Sequence, residues 1–182
     1  MQSAQFIYTG LLLIILAIPV LLSFGPKIQY YSKWKYLFPA ILLTALVFVF
    51  WNVRFTQVGI WNFNPEYTLG INYMKIPLEE WLFFLVFPFF SMFIYEGVKS
   101  FSPSPKSDKL LAAFSLILTV AFGLISYLFR QHAYTFFTFL ILTVYLGYTI
   151  FRNRFRHHLS HFYLTYVVCL VPFLIVRGIL TS

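Results

Sequence analysis

The chain has 182 residues, of which 60% are hydrophobic, 23% aromatic and 10% charged. A soluble domain carries about 25% charged residues, so these proportions exclude a soluble globular enzyme and indicate an integral membrane protein. The net charge of +8 sorts by loop, which reads as membrane topology and excludes a nucleic-acid surface.

Six apolar runs follow one another at roughly 6–24, 36–53, 76–96, 110–129, 133–151 and 161–180. Each is close to the ~20 residues that span the hydrocarbon core as a helix. They are continuous, whereas a closed barrel needs ~10-residue alternating segments. The expected fold is all-α: a polytopic bundle of about six transmembrane helices in a single domain, 1–182. The first run has no Lys or Arg before it and no small-residue cleavage site after it, so it reads as a retained helix.

The loop after that helix holds Lys27, Lys33 and Lys35. With it inside, Lys99, Lys106, Lys109, Arg152, Arg154 and Arg156 also fall inside. Arg54, Lys75, Arg130 and Arg177 fall outside. That places nine of the 13 positive charges inside and both termini outside the cell membrane. Anionic membrane lipids are the expected partners of the basic loops.

The segment from Arg54 to Lys75 differs from the other connections. It mixes Trp61, Phe63 and Tyr67 with Gly59, Gly70, Asn62, Asn64 and Pro65. Asn64-Pro65 favours a turn and the glycines permit tight bends. Such a loop either folds back over the outer end of the bundle or forms an interfacial belt of aromatic anchors. Both readings stand at this point.

The third run opens with the most informative residues. Glu79 and Glu80, two of five acids in the chain, begin a stretch that is otherwise apolar and aromatic. Pro77 suits the first turn of a helix, and acids there are stabilised by the helix dipole by ~0.3–1 kcal/mol. Against that bland role, no Lys or Arg lies one turn away on the same helix, and Phe83, Phe84 and Phe87 lie beneath the doublet at helical spacing. Ionisable groups at membrane depth are functional by default. Desolvation disfavours the charged form of a carboxyl, and a carboxyl so placed can deliver and remove a proton. Proton donors beside aromatic faces suit the making and sheltering of a cation, at ~0.5–2 kcal/mol per face.

The remaining polar residues read as structural. Glu96 lies 16 residues after Glu80, about 24 Å along a helix, and is expected at a solvated helix end beside Lys99. The linker Ser102-Pro103-Ser104-Pro105-Lys106 separates a first repeat, 1–100, from a second, 108–182. Helix 2 ends in Asn52-Val53-Arg54-Phe55-Thr56, and helix 6 similarly ends in Val176-Arg177-Gly178-Ile179-Leu180-Thr181. Internal duplication is common in membrane folds. His157, His158 and His161 adjoin Arg152, Arg154 and Arg156, and a cationic, lipid-facing cluster is expected there rather than a metal site. His132 is expected to be solvated, and Cys169 is expected to pack. No Gly-rich nucleotide loop, HExxH or Ser-His-Asp pattern occurs, so no cofactor is expected.

Phe55-Thr56, Gly59-Ile60-Trp61-Asn62-Phe63-Asn64-Pro65, Gly70 and Pro77-Leu78-Glu79-Glu80 with Phe83-Phe84 together resemble the membrane-embedded lycopene cyclase domain of bacterial, archaeal and fungal carotenoid enzymes. The resemblance covers 1–100 and continues more weakly through 171–176 and 178–181. Asn52 stands where the family has an acid after the helix 2 tryptophan. The family's second Pro-x-Glu-Asp/Glu motif is absent from the chain, so a further C-terminal helix or a homologous partner subunit is expected to complete the enzyme.

The resemblance implies a non-redox intramolecular lyase or isomerase of carotenoid biosynthesis, closing rings on a linear carotenoid such as lycopene to give β-carotene. Glu79 and Glu80 are then the acid/base pair, with neither role assigned to either. Trp61, Phe63, Trp81, Phe83 and Phe84 are candidates to shield the cation, and Asn52, Asn62 and Asn64 to orient the carboxylates. The competing readings are a non-catalytic or half subunit of a heteromeric cyclase, and a proton-coupled small-solute carrier. A carrier needs polar residues on several helices, and helices 1, 4 and 5 offer little beyond Ser and Thr.

Overall fold

The computed structural model describes residues 6–102, 109–152 and 158–181. Six α-helices account for most of them: α1 (Ile7–Leu22), α2 (Trp34–Gln57), α3 (Leu78–Phe101), α4 (Lys109–Leu128), α5 (Ala133–Phe151) and α6 (Leu159–Thr181). Two short 3-10 turns, Tyr30–Lys33 and Pro65–Tyr67, and a two-stranded hairpin of β1 (Asn72–Tyr73) and β2 (Ile76–Pro77) complete the described elements. The all-α expectation stands.

Five stretches are long and apolar enough to cross a membrane: Tyr30–Gln57, α3, α4, α5 and Leu159–Gly178 of α6. The first helix is shorter than its apolar run suggests. Its 16 residues rise about 24 Å, less than the ~30 Å hydrocarbon core. Pro26 excludes helical geometry at Gly25, and Ser23 turns back to donate its hydroxyl to the Pro19 carbonyl.

The other end of the front half also departs from the expected limits. α2 runs through Gln57 and stops in a Schellman motif. Gly59 takes φ +77, its N–H donates to Thr56 O, and the Ile60 N–H donates to Phe55 O. α3 begins at Leu78. Ile76 and Pro77, expected inside the helix, instead pair antiparallel with Tyr73 and Asn72. The helix then continues to Phe101, so Glu96 is not at its end. Glu96 forms an ion pair with Lys33, and its side chain is only 12% exposed, which corrects the expected solvated position.

The described residues fall into two compact units. One comprises α1, α2 and α3 with α6 from Thr165 onward; the other spans Ser102–Leu164. In the first, Tyr8, Leu12 and Ile15 of α1 pack with Phe83, Val86 and Phe90 of α3 and with Cys169 and Val176 of α6. A second cluster joins Tyr30, Ile41, Phe89 and Phe93; within it the Tyr30 hydroxyl donates to the Phe89 carbonyl at 2.7 Å. Val49, Val53 and Ile76 form a third, with Phe63, Trp81 and Phe84 against it. Cys169 is buried in the first cluster, as a packing residue would be.

In the second unit α4 and α5 meet through small residues. A methyl on Gly123 would lie 3.6 Å from Thr143 Cγ2, and one on Gly147 3.9 Å from Thr119 Cγ2. Small residues let membrane helices approach closely. His132 is exposed at the start of α5. His161 is not lipid-facing as expected: it is buried, with Nε2 2.8 Å from the Ser102 carbonyl oxygen. Residues 103–106 of the linker, with Lys106, and Arg154, Arg156 and His157 of the basic cluster lie outside the described residues.

Candidate active site

Glu79 and Glu80 open α3, and both side chains are completely buried. Burying even one carboxyl is costly unless it is paired and hydrogen-bonded. The partners come from four separate parts of the first unit: α1, α2, the aromatic loop and α6. Adjacent residues on a helix point about 100° apart, and each glutamate accordingly has its own partners.

Glu80 is held from three helices. The Asn52 side-chain amide of α2 donates to Oε1 at 2.8 Å. The Tyr8 hydroxyl of α1 donates to Oε2 at 3.2 Å. Arg177 of α6 places Nη1 2.8 Å from Oε1 and 3.0 Å from Oε2, so one nitrogen serves both oxygens. The guanidinium carbon also lies 4.5 Å from the centre of the Phe83 ring. Charge and ring together hold Arg177 at a point where its side chain is 27% exposed.

Glu79 faces α1 and the loop. The Leu69 backbone N–H donates to Oε1 at 2.6 Å, and the Thr9 hydroxyl lies 3.5 Å from the same oxygen. Oε2 is buried and has no hydrogen-bond partner among the described residues.

The loop reaches Glu79 because of its backbone. Asn64 accepts from the Glu66 N–H and caps the turn at Pro65. Gly70 takes φ +78, a conformation glycine adopts without steric cost. The Leu78 N–H then donates to the Ile71 carbonyl. These contacts bring Leu69 over the start of α3. Of the two readings of the aromatic segment, fold-back describes Leu69 and Phe63; Phe63 packs against the first and third clusters.

The expected shielding aromatics divide. Phe83 is buried, and one face carries the Arg177 guanidinium. Phe84 stacks on Phe48 at 6.2 Å between centroids and meets Phe83 edge-on at 5.7 Å. Phe83 stacks on Phe87 at 5.1 Å. Trp81 is half-buried and packs on Tyr73 of the hairpin at 5.4 Å. Trp61 is half-buried in the loop. Among the expected orienting amides, Asn52 bonds Glu80, Asn64 caps its own turn, and Asn62 is exposed.

Tyr8, Thr9, the Leu69 N–H and Arg177 are absent from the sequence reading of the site. Arg177 was legible in principle. It lies inside an apolar run, where a charge signals function as much as an acid does, yet the loop count assigned it to the outer surface. The site residues come from segments as far apart as Tyr8 and Arg177, and no sequence spacing announces that convergence.

A family model for lycopene cyclase matches residues 5–98 and 131–182 of the chain. The first stretch carries the doublet and the loop, and the second carries Arg177. No curated protein and no solved structure shows significant similarity to the chain.

Proposed function

The chain belongs to the lycopene cyclase family, and on that premise we propose that it closes a ring at the linear end of a carotenoid by acid/base chemistry at Glu79 and Glu80, without net redox change. The observation that carries this reading is the fully buried pair of carboxyls heading a helix of aromatic residues. Such a pair offers a proton to an apolar substrate away from water, which would otherwise quench a carbocation.

The reaction balances without an outside reagent. A carboxyl O–H protonates the terminal double bond of the linear end, and the more substituted carbon becomes a tertiary cation. The neighbouring alkene attacks that carbon, forming the ring bond and moving the positive charge into the ring. Loss of a proton from a carbon next to the cation to a carboxylate forms the new double bond, in the ring or on it, and restores the acid. The position of the proton lost decides between β-, ε- and γ-rings. Lycopene, with two linear ends, is the proposed substrate, and β-carotene the proposed product.

The aromatic side chains near the doublet support the cationic part of this sequence, since their faces stabilise positive charge by ~0.5–2 kcal/mol. Both termini are proposed to lie on the outer side of the cell membrane, on the strength of the Lys and Arg distribution.

The test is carotenoid analysis in lycopene-producing cells expressing the enzyme or its variants. Glu79→Gln and Glu80→Gln should each lower the yield of cyclic product, the second by removing the partner of Arg177, with the protein still present in the membrane fraction. Cyclic product at normal levels from both variants would remove the doublet from the chemistry.

A further inference from the structure

We propose that the two glutamates divide the work: Glu80 is a fixed carboxylate locked by Arg177, and Glu79 alone carries the proton, on Oε2. The inference rests on the cyclase reading for its substrate, but the division of charge rests on hydrogen-bond geometry.

Arg177 is a donor with no acceptor atom. Its Nη1 lies against both Glu80 oxygens, while Asn52 and Tyr8 donate one to each. An ionised carboxylate is acceptor-only and fits that set. A proton on Oε1 would face the Asn52 amide N–H and the guanidinium, neither of which can accept it.

Glu79 has the opposite surroundings. Oε1 accepts from the Leu69 N–H and Thr9, and Oε2 is buried with no partner among the described residues. An unpartnered hydroxyl in an apolar place costs far less than an unpartnered charged oxygen. The arrangement is also what an alkene requires. A π-bond takes a proton but is no permanent hydrogen-bond acceptor, so the acid serving it points at no protein group. Among the described residues Arg177 forms an ion pair with Glu80.

In the reaction the Glu79 O–H bond breaks as a C–H bond forms on the terminal alkene carbon. The ring closes, a C–H bond next to the cation breaks, its electron pair becomes the new double bond, and the proton returns to Glu79. Glu80 holds its charge throughout. Arg177 is a positioning residue: it fixes Glu80 and so leaves Glu79 the proton.

Infrared spectroscopy of the purified enzyme in an ester-free detergent tests this without substrate, through the carboxylic-acid C=O stretch that shifts in D2O. The wild type should show such a band, and Glu79→Gln should lose it. Arg177→Met should gain a second band, because Glu80 then lacks its counter-charge. Arg177→Lys should not. The double variant Glu80→Gln/Arg177→Met is neutral at both positions and should keep the original band. A wild-type band that survives Glu79→Gln and vanishes in the double variant overturns the assignment, as does a wild type with no band from either glutamate. With lycopene, Glu79→Gln should lose about 100-fold or more in rate, and the double variant should remain faster than Glu79→Gln. A double variant as slow as Glu79→Gln makes Glu80 a participant and overturns the division. If the infrared pattern holds and the wild type cyclises nothing even with a homologous partner subunit supplied, the cyclase reading fails and the charge assignment stands.

Discussion

At the scale of single residues, burial sets the cost of each change. Removing one partner of a buried ion pair is strongly destabilising, because the other group must stay charged without compensation or take up a proton. Arg177→Met should therefore destabilise the folded protein strongly, and Glu80→Gln/Arg177→Met should recover much of the loss. Thermal unfolding in detergent, followed by helical circular dichroism, gives the comparison. The smaller contacts grade below that. Asn52→Ala removes a 2.8 Å donor to Glu80 and should cost about 1.5–3 kcal/mol. Tyr8→Phe removes a longer 3.2 Å bond and should cost less than Asn52→Ala in the same assay. If Tyr8→Phe is the more damaging, the hydroxyl does more than support Glu80. The doublet itself was legible in the sequence, because two acids among Phe and Trp have few bland explanations. Its partners were not. A tyrosine, a threonine and a backbone N–H carry no signal until the chain folds, and one arginine near a helix end looks like a topological flank.

At the scale of elements, continuous apolar runs located the six described α-helices and misplaced several ends. Apolarity stays high past the point where backbone chemistry changes, as at the stop of α1 before Pro26 and in the pairing of Ile76-Pro77 outside α3. The hairpin was invisible for a specific reason. Its two-residue turn is Met74-Lys75, both at positive φ, 53 and 66, where Asn-Gly is the usual signal. A non-glycine residue held there costs about 1–2 kcal/mol. Lys75→Gly should relieve part of that and raise the thermal midpoint, while leaving the Leu69 contact with Glu79 intact. A lower midpoint would mean that the Lys75 side chain is itself a stabilising contact. In the second unit the α4–α5 pairing combines lack of bulk with a hydrogen bond from the Ser126 hydroxyl to the Phe136 carbonyl at 3.2 Å. Gly147→Leu should separate these helices, whereas Gly123→Ala, with 3.6 Å to Thr143 Cγ2, should be tolerated. Crosslinking between cysteines placed on α4 and α5 would report the difference.

At the scale of the whole molecule, composition was sufficient for the class, and charge supports a proposed orientation. The class holds: five stretches can cross a membrane, with a sixth, shorter apolar helix before them. The orientation follows from a loop count in which Arg177 was scored as an outer charge, although its guanidinium is occupied by Glu80. Removing it from the count lowers the outer total from four to three and keeps the bias. The positive-inside rule acts during insertion, on charges flanking the spans, and Lys27 and Lys75 flank opposite ends of the first unit's helices. Both are exposed. In a Cys169→Ala background, Lys27→Cys should be shielded from a membrane-impermeant thiol reagent in intact cells and reactive after lysis. Lys75→Cys should react in intact cells. The reverse pattern would put Glu79 and Glu80 near the inner face, and a carotenoid end would then reach the doublet from the cytoplasmic side of the bilayer.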